Sequence, residues 1–371
     1  MVMISRNTNT LLLTTESKVL VCDLKSEQQT VLEIPAPVLP DNLTKDQRNI
    51  LLKHEKTVNS VDFSLTDQYM LLSTENKQIL VYSSDLKLIK NFTVNRVPSK
   101  AVFTPSNDII VADKTGDVYL YELEGDEKPT LLLGHLSIIL DVLVTKDGKY
   151  IITCDRDEKI RVSHFPNCYN IATFCLGHTE FVTCIKVEGK ILISASGDGT
   201  VQFWDFLRGK QLNIVNTNAH VEESNTLLEF SETMDKEKVD VSALPVINVQ
   251  ISENFMAVQL HKCSTLQLYS VDFSKNKCEV QLIFKLCIAP IFSFCFSKLE
   301  LIVFSDRLRT FKLENNQFVE IESVFLRKLC DNYKANFKHL DEECLTVLYK
   351  RKFDNMQEYY ERKKQRIESL K

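Results

Sequence analysis

Apolar and polar residues alternate over short stretches through most of the chain, which is the period of half-buried β-strands. Residues 79–82 (Ile-Leu-Val-Tyr) and residues 118–121 (Val-Tyr-Leu-Tyr) are two examples. Aspartate and glycine turns separate such stretches, as at residues 146–148 and 197–199. The pattern predicts an all-β domain built from short antiparallel strands.

The most specific motif lies between residues 177 and 205. It contains, in order, Gly177-His178, then Ser194, Ser196, Asp198, Gly199 and Thr200, and finally Trp204-Asp205. This order is the signature of a WD repeat, which forms one four-stranded blade of a β-propeller. We predict a hydrogen-bonded tetrad inside this blade, formed by His178, Ser194, Asp198 and Trp204. The motif therefore favours a scaffold over a catalytic site.

Weaker copies of this repeat recur at intervals of about 40–45 residues, the length of one WD blade. The positions equivalent to the tryptophan are Cys22, Tyr82, Tyr121, Ser163, Trp204, Tyr269 and Phe311. Seven copies predict a seven-bladed β-propeller over residues 1–325, because stacked blades bury the faces that a single blade exposes. In the fourth copy Ser163-His164 replaces Trp-Asp, so we expect that blade to lack the tetrad.

Two intervals between copies are longer and contain insertions at residues 35–52 and 218–244. The first is rich in proline and the second in acidic residues, and neither has strand periodicity. We expect both insertions to be mobile surface loops. A passive spacer is the favoured interpretation, and a functional tip is the alternative.

The C-terminal segment, residues 326–371, is predicted to be a helical basic tail. From Asp341 onwards it contains no glycine or proline, and its apolar residues recur at helical spacing. Its basic candidates for contact with a partner or with tRNA are Lys350, Arg351, Lys352, Arg362, Lys363 and Lys364. Three compatible interpretations remain: packing on the propeller, docking on a partner or RNA, and a bipartite nuclear localisation signal.

Composition limits the function classes. The net charge of −5 gives the chain no electrostatic bias toward nucleic acid. The eleven cysteines lack paired or zinc-type spacing, as expected of free thiols in a reducing compartment. Because no signal peptide or membrane-length apolar run is found, we expect a soluble intracellular protein.

The residues that could carry catalysis are explained by the repeat. His135 and His178 occupy the Gly-His position of a blade, and Asp157 and Asp198 are predicted to accept backbone hydrogen bonds in turns. No P-loop, glycine-rich nucleotide cradle or histidine pair with metal spacing is found. The sequence therefore predicts no catalytic residue, no bound cofactor and no metal site.

Residues 155–161 form an unusual turn, in which six of seven residues are charged. Arg156 and Glu158 lie in the turn, whereas Lys159 and Arg161 alternate along a strand and should both point outward. A lysine and an arginine on one face suit ion pairing with carboxylates of a partner protein. The alternative is a solvated surface turn.

Residues 133–205 resemble one particular family, the Wuho-type WD-repeat subunit of eukaryotic tRNA guanine-N7 methyltransferase. The resemblance rests on Leu133-Gly-His135, on Asp155-Arg-Asp-Glu-Lys-Ile-Arg-Val-Ser163, on Phe174-Cys-Leu-Gly-His-Thr-Glu-Phe-Val182 and on Ser196-Gly-Asp-Gly-Thr200. It implies a non-catalytic subunit that stabilises and orients a methyltransferase with a Rossmann-type fold. That partner would bind S-adenosylmethionine and methylate a guanine in the tRNA variable loop.

The resemblance also implies roles for particular residues. Lys159 and Arg161 would face acidic residues of the catalytic subunit, with Arg156 and Glu158 beside them, and the tail would lie near the same partner. The complex would be a heterodimer that contacts tRNA mainly through the catalytic subunit. We expect the nucleus as its location and the cytoplasm as a second one. The two insertions carry no signature of the family.

Two other functions stay open. A propeller can be the substrate receptor of a ubiquitin ligase, but the Trp-Asp-x-Arg pattern of such receptors is one residue longer here, from Trp204 to Arg208. A regulator of translation could instead bind RNA through the basic tail, and its binding would weaken with salt.

Overall fold

The computed structural model of the chain describes most of its residues: 3–14, 18–39, 44–53, 56–125, 128–222, 225–274, 278–288, 290–314, 317–333, 343–350, 363, 364 and 366. Within these residues, the strands form seven four-stranded antiparallel sheets. Each sheet uses four strands that are consecutive in the sequence. This confirms the predicted seven-bladed propeller.

The blades are numbered in chain order. Blade 1 contains β1 (Ile4–Arg6), β2 (Thr10–Thr14), β3 (Lys18–Asp23) and β4 (Gln28–Glu33). Blade 2 contains β5 (Val58–Phe63), β6 (Tyr69–Thr74), β7 (Gln78–Ser83) and β8 (Leu88–Thr93). Blade 3 contains β9 (Pro98–Phe103), β10 (Ile109–Asp113), β11 (Asp117–Tyr121) and β12 (Thr130–Gly134). Blade 4 contains β13 (Ile139–Val144), β14 (Tyr150–Asp155), β15 (Ile160–His164) and β16 (Ile171–Cys175). Blade 5 contains β17 (Val182–Glu188), β18 (Ile191–Ser196), β19 (Thr200–Asp205) and β20 (Lys210–Asn216). Blade 6 contains β21 (Val246–Ser252), β22 (Phe255–Leu260), β23 (Thr265–Asp272) and β24 (Glu279–Cys287). Blade 7 contains β25 (Ser293–Ser297), β26 (Glu300–Phe304), β27 (Leu308–Glu314) and β28 (Gln317–Ile321).

The predicted tryptophan-equivalent residues all lie in the third strand of a blade, as the repeat requires. The described helices lie outside the sheets: α1 (Lys45–Lys53), a 3₁₀ turn (Thr217–His220), α2 (Thr226–Lys236), α3 (Val324–Tyr333) and α4 (Glu343–Thr346).

The expectation that both insertions are mobile surface loops is wrong. Residues 45–53 form α1, and residues 226–236 form α2, whose Phe230 and Met234 are fully buried. These two residues are four apart and therefore lie on one face of the helix. They join the packed core between blades 5 and 6. The acidic residues that suggested a solvated loop lie around this narrow apolar face.

Burial of both faces of each sheet produces the ring. In β2 the consecutive side chains of Leu11, Leu12 and Leu13 are all inaccessible to solvent. Neighbouring side chains of a strand point to opposite faces of its sheet. Leu11 and Leu13 pack toward blade 7, and Leu12 packs toward blade 2. A blade is therefore stable only between two neighbours.

The ring closes between blades 1 and 7 without a strand shared by the two sheets. The backbone N–H of Ile4 donates to Ser293 Oγ at 3.2 Å, and Arg6 forms an ion pair with Glu300 at 2.6 Å. Helix α3 covers the seam from outside, because Leu326 and Leu329 pack into the same apolar cluster as Leu11 and Leu13 of blade 1.

The tetrad of blade 5 is linked by three hydrogen bonds. His178 Nδ1 lies 2.8 Å from Asp198 Oδ2, and His178 Nε2 lies 2.8 Å from Ser194 Oγ. Trp204 Nε1 donates to the same serine oxygen at 2.9 Å. Burial opposes ionisation of Asp198, but hydrogen bonds from His178, Thr200 and Thr179 still hold the pKa of Asp198 below its usual value. The tetrad therefore joins the segment that precedes β17 to β18, to β19 and to the turn between them.

Blade 4 keeps more of this network than its sequence suggested. His135 Nδ1 lies 2.8 Å from Asp155 Oδ2, and His135 Nε2 lies 2.8 Å from Thr153 Oγ1. The carboxylate that is bonded to His135 is thus that of Asp155. The repeat pattern had indicated Asp157, which lies two residues farther along the chain. Ser163 is fully buried at the tryptophan position, and its hydroxyl accepts a hydrogen bond from Arg161. The expected loss of the tetrad is therefore limited to the tryptophan.

A cavity of about 1010 Å³ runs along the axis of the ring and is lined by the first strand of several blades. Its wall carries mixed charge, including Asp62, Lys100, Asp141 and Lys186. Burial raises the pKa of Asp62 to about 6, while Asp62 Oδ2 accepts the backbone N–H of Phe103 at 2.7 Å. Asp141 Oδ2 accepts the N–H of Ile185 at 3.0 Å. These carboxylates therefore join neighbouring blades.

We call residues 343–350 the C-terminal clasp. They lie on the upper face, defined as the face that carries the turns between second and third strands. Leu345 and Leu348 line the upper end of the axial cavity. Tyr349 is only 2% exposed and packs edge-on against Phe181, with ring centroids 4.8 Å apart. The clasp thus fills a prepared aromatic site on its own propeller.

The clasp also has polar anchors on the turn of blade 4. Arg156 Nε donates to the carbonyl oxygen of Leu348 at 3.0 Å, and Arg156 Nη2 donates to that of Tyr349 at 3.2 Å. Lys350 forms an ion pair with Glu158. Since α4 ends at Thr346 and Lys350 is not helical, the helical spacing predicted from Asp341 onwards does not produce a helix at residues 347–350. The backbone there turns to reach Arg156.

Removing the central hydroxyl of the tetrad tests its contribution to stability. Ser194→Ala leaves the buried N–H of Trp204 and Nε2 of His178 without their partner. We expect the free energy of unfolding to fall by about 1–3 kcal/mol, the cost of leaving such groups unsatisfied. Chemical denaturation measures the change. The exposed Ser84, replaced by alanine, is the control, and equal stability of the two variants would refute the role of the tetrad.

Truncating Tyr349 tests the clasp. Tyr349→Ala removes an aromatic side chain from a closed site, which costs about 3–5 kcal/mol in a protein core. We expect the clasp to detach and trypsin to cleave after Lys350 at least tenfold faster than in the wild type. Tyr349→Phe keeps the ring and loses only a hydroxyl contact with Gly197 at 3.4 Å, so it should resemble the wild type. Unchanged cleavage of the alanine variant would contradict the clasp.

Candidate interface on blade 4

The charged turn of blade 4 is fixed by Asp155, the last residue of β14. Asp155 Oδ1 accepts the backbone N–H of Lys159 at 3.0 Å, while its second oxygen bonds His135. Glu158 takes a positive φ of 69°, which closes the turn before β15 begins. Hydrogen bonds from both sides therefore hold the turn in one conformation.

The four predicted partner-binding residues do not form one exposed surface. Arg156 and Glu158 bind the C-terminal clasp. Lys159 is exposed to solvent, whereas Arg161 is half-buried. The sequence grouped these residues because they are adjacent, but the turn directs two of them toward the clasp.

The expectation that Arg161 points outward is wrong. Arg161 Nε donates to Ser163 Oγ at 2.9 Å, and Arg161 Nη2 donates to the carbonyl oxygen of Cys168 at 2.8 Å. Arg161 Nη1 reaches the carbonyl oxygen of Gly134, in blade 3, at 3.3 Å. Burial lowers the pKa of the Arg161 guanidinium. Because these acceptors surround it, Arg161 lies along the groove between blades 3 and 4.

Glu180 is an acidic residue with charged neighbours in both the turn and the clasp, Glu158 and Lys350. Burial, with Glu158 nearby, raises the pKa of Glu180 to about 7, and Lys350 opposes that rise. Conversely, the hydrogen bond to Glu158 raises the pKa of Lys350. Lys350 is therefore the cation that compensates two carboxylates of the upper face. Its predicted contact with a partner or with tRNA stays a prediction.

The other tail candidates lie farther along the chain. Lys363 and Lys364 are exposed and helical. Arg351, Lys352 and Arg362 lie outside the described residues. The sequence did not predict the aromatic site of the clasp, although Leu345 and Leu348 belong to the apolar residues that recur there at helical spacing. Its partners, Phe181 and Phe230, come from distant segments, so no local pattern could reveal them.

The histidines of the described part of the chain have structural surroundings. The side chains of His135 and His178 are almost inaccessible to solvent, and each is bonded to a carboxylate. Burial lowers the pKa of His261 to about 4, so that its ring is neutral at physiological pH. Across the described residues, no three His, Cys, Asp or Glu side chains are arranged to hold a metal ion. None of the described helices is both long and apolar enough to span a membrane.

Comparison with known proteins gives consistent results. The family model described as the tRNA methyltransferase TRM82 WD40 domain matches residues 124–318. The wuho non-catalytic subunit of tRNA (guanine-N(7)-)-methyltransferase from Drosophila pseudoobscura pseudoobscura is 33% identical, covering 94% of this chain and 88% of that protein. The wdr4 non-catalytic subunit from Danio rerio is 30% identical, covering 85% of this chain and 78% of that protein.

A solved structure supports the fold alone. A chain in a crystal structure of the mitotic checkpoint complex aligns with a TM-score of 0.62 at 12% identity, covering 82% of this chain and 83% of that one. The family assignment depends on the sequence relatives, whose alignments cover most of this chain. The chain belongs to the family of WD-repeat non-catalytic subunits of tRNA (guanine-N7-)-methyltransferase.

Proposed function

We propose that this chain is the non-catalytic subunit of a heterodimeric tRNA (guanine-N7-)-methyltransferase. The observation that carries the proposal is the kinship with non-catalytic subunits over 94% of the chain. The geometry agrees with it, because the histidines and aspartates of blades 4 and 5 are engaged in structural hydrogen bonds. In this proposal the partner binds S-adenosylmethionine and methylates a guanine of the tRNA variable loop.

The propeller contributes a rigid surface. Blade 4 is fixed by the His135 network, by Arg161 and by the clasp, so its surface is ordered before a partner arrives. A preorganised surface binds without the entropic cost of ordering side chains and loops. Lys159 stands exposed at the upper end of this blade and can pair with a carboxylate of the catalytic subunit.

Contact with tRNA is assigned mainly to the catalytic subunit, since this chain has a net charge of −5. The exposed Lys363 and Lys364 can add phosphate contacts from the tail. The basic clusters of the tail also support a nuclear location, with the cytoplasm as a second one.

Reconstitution tests the proposed function. Methyl transfer to unmodified tRNA is measured with the candidate methyltransferase alone, with this chain alone, and with both. We expect the mixture to be at least tenfold more active than the methyltransferase alone and to elute as a one-to-one complex. This chain alone should transfer no methyl groups. Separate elution together with no gain in activity would refute the proposal.

Charge reversal at Lys159 tests the proposed ion pair. Lys159→Glu turns an attraction into a repulsion, and exposed pairs contribute about 0.2–1 kcal/mol. We expect Kd for the catalytic subunit to rise several-fold, mainly through slower association, and the difference to shrink with added salt. Titration calorimetry at two salt concentrations measures it. Lys146→Glu changes an exposed lysine of the opposite face and is the control; equal affinities of both variants would exclude Lys159.

A further inference from the structure

The axial cavity has a covered upper end and a solvent-exposed lower end. Leu345 and Leu348 of the clasp line the upper end. The lower face is the opposite one, which carries the turns between first and second strands. Two of these turns line the lower mouth of the cavity, between β13 and β14 and between β17 and β18. With a volume of about 1010 Å³, the cavity is large enough for a small-molecule ligand.

Charged residues lie on only one side of the cavity. Five lysines and three aspartates line it, all from blades 2 to 5: Asp62, Lys100, Asp141, Lys146, Asp147, Lys149, Lys186 and Lys190. The described residues that blades 6, 7 and 1 contribute to the wall include no lysine, arginine, aspartate or glutamate. Five positive and three negative charges leave an excess of two positive charges, although the whole chain has a net charge of −5.

The carboxylates of the cavity are engaged by the propeller itself. Asp62 and Asp141 each accept a backbone N–H of the next blade. The second oxygen of Asp141 accepts the N–H of Val142 at 3.0 Å. Asp147 Oδ1 accepts the hydroxyl of Thr145 at 2.6 Å. These carboxylates therefore serve the structure of the wall.

Two of the five lysines pair with these carboxylates. Lys100 Nζ lies 3.8 Å from Asp141 Oδ1, and Lys149 Nζ lies 3.6 Å from Asp147 Oδ2. The other three form no ion pair with any residue in the described part of the chain: Lys146, Lys186 and Lys190. The positive excess of the cavity is thus concentrated on blades 4 and 5.

Lys186 and Lys190 carry this charge from the wall to the mouth. Lys186 lies in β17, the first strand of blade 5, and is half-buried, whereas Lys190 is exposed in the turn that follows. The low-dielectric walls of a cleft strengthen the attraction of ammonium groups for an anion. Lysine binds phosphate groups as a compact point charge. This side of the cavity therefore suits a phosphate group.

The uncharged side of the cavity offers hydrogen bonds instead. Asn248 and Gln250 of β21 and Gln259 of β22 line it with carboxamides, which both donate and accept. Gln259 Nε2 donates to the carbonyl oxygen of Ile291 at 2.9 Å, so this side chain is held in place. A ligand that matches both sides is anionic at one end and polar but uncharged in the rest.

We propose that the axial cavity is a binding site for a small phosphorylated molecule whose remaining part is uncharged and polar. The ligand enters from the lower face, and its phosphate contacts Lys186 and Lys190. The uncharged part faces Asn248 and Gln250. This site is separate from Lys159, which the proposed function pairs with the catalytic subunit, and it does not depend on that function.

Titration calorimetry of the full chain tests this proposal with two probes, pyrophosphate and ADP. Both should bind, and ADP should bind more tightly because its ribose and base reach the carboxamides. Citrate, a polyanion without phosphate, is the control ligand. Lys186→Gln and Lys190→Gln should each raise Kd for ADP about tenfold, since each removes a charge-assisted contact. Lys210→Gln, on the outer strand of the same blade, is the matched control and should change Kd less than twofold.

Thermal melts verify that the variants fold, and a second measurement needs only the wild type. Lysines are acetylated with and without ADP and located by mass spectrometry. ADP should protect Lys186 and Lys190 at least threefold and leave Lys210 unprotected. Absence of ADP binding at millimolar concentration, equal affinity for citrate, or equal protection of all three lysines would overturn the proposal. Protection by single-stranded RNA but not by ADP would show that an RNA backbone covers the mouth, and this result would also overturn it.

Discussion

The burial of both faces of every blade is the constraint on which this structure depends. Leu11, Leu12 and Leu13 show it in three consecutive positions, because their side chains alternate between neighbours and none of them reaches water. A sheet of this kind is stable only in a closed ring. The seam between blades 1 and 7 must therefore be tight, and the Arg6–Glu300 ion pair and helix α3 close it.

This constraint decides where function can reside. Inside the ring, the side chains of His135, His178 and Asp141 are held in structural hydrogen bonds. The upper face over blades 4 to 6 is partly covered by the chain itself, through α2 and the C-terminal clasp. The lower mouth of the axial cavity and the outer strands remain. Among the outer strands, β12 and β16 of blades 3 and 4 contain no charged residue, unlike those of the other five blades.

Much of the fold was predictable because a WD repeat is defined by local patterns. Strand alternation, turn residues and the seven tryptophan-equivalent positions gave the number of blades and the place of each third strand. The tetrad of blade 5 was predictable for the same reason. Helix α2 was not predictable, because its two buried residues, Phe230 and Met234, lie among many acidic residues and form too short an apolar pattern.

The candidate interface was only partly predictable. Adjacent charges at residues 156–161 suggested one shared role, but Arg156 and Glu158 bind a segment about 190 residues away in sequence. A contact between segments so far apart cannot be predicted from the local spacing of residues. Arg161 lies two residues after Lys159, yet its guanidinium donates to Ser163 Oγ, to the carbonyl oxygen of Gly134 and to that of Cys168. The uncharged edge strands were visible in the sequence and acquire meaning only once the sheet order identifies them as edges.

Amide hydrogen exchange tests most directly the proposed function, in which the catalytic subunit docks on the side of the ring near Lys159, at blades 3 and 4. The free chain and its complex with the catalytic subunit are compared peptide by peptide. The account predicts slower exchange in the complex for peptides that span residues 130–136 and 169–176, where edge amides are unpaired in the free chain. Peptides from β20 and β28 should exchange equally in both states. Protection confined to other blades, with β12 and β16 unchanged, would contradict the account.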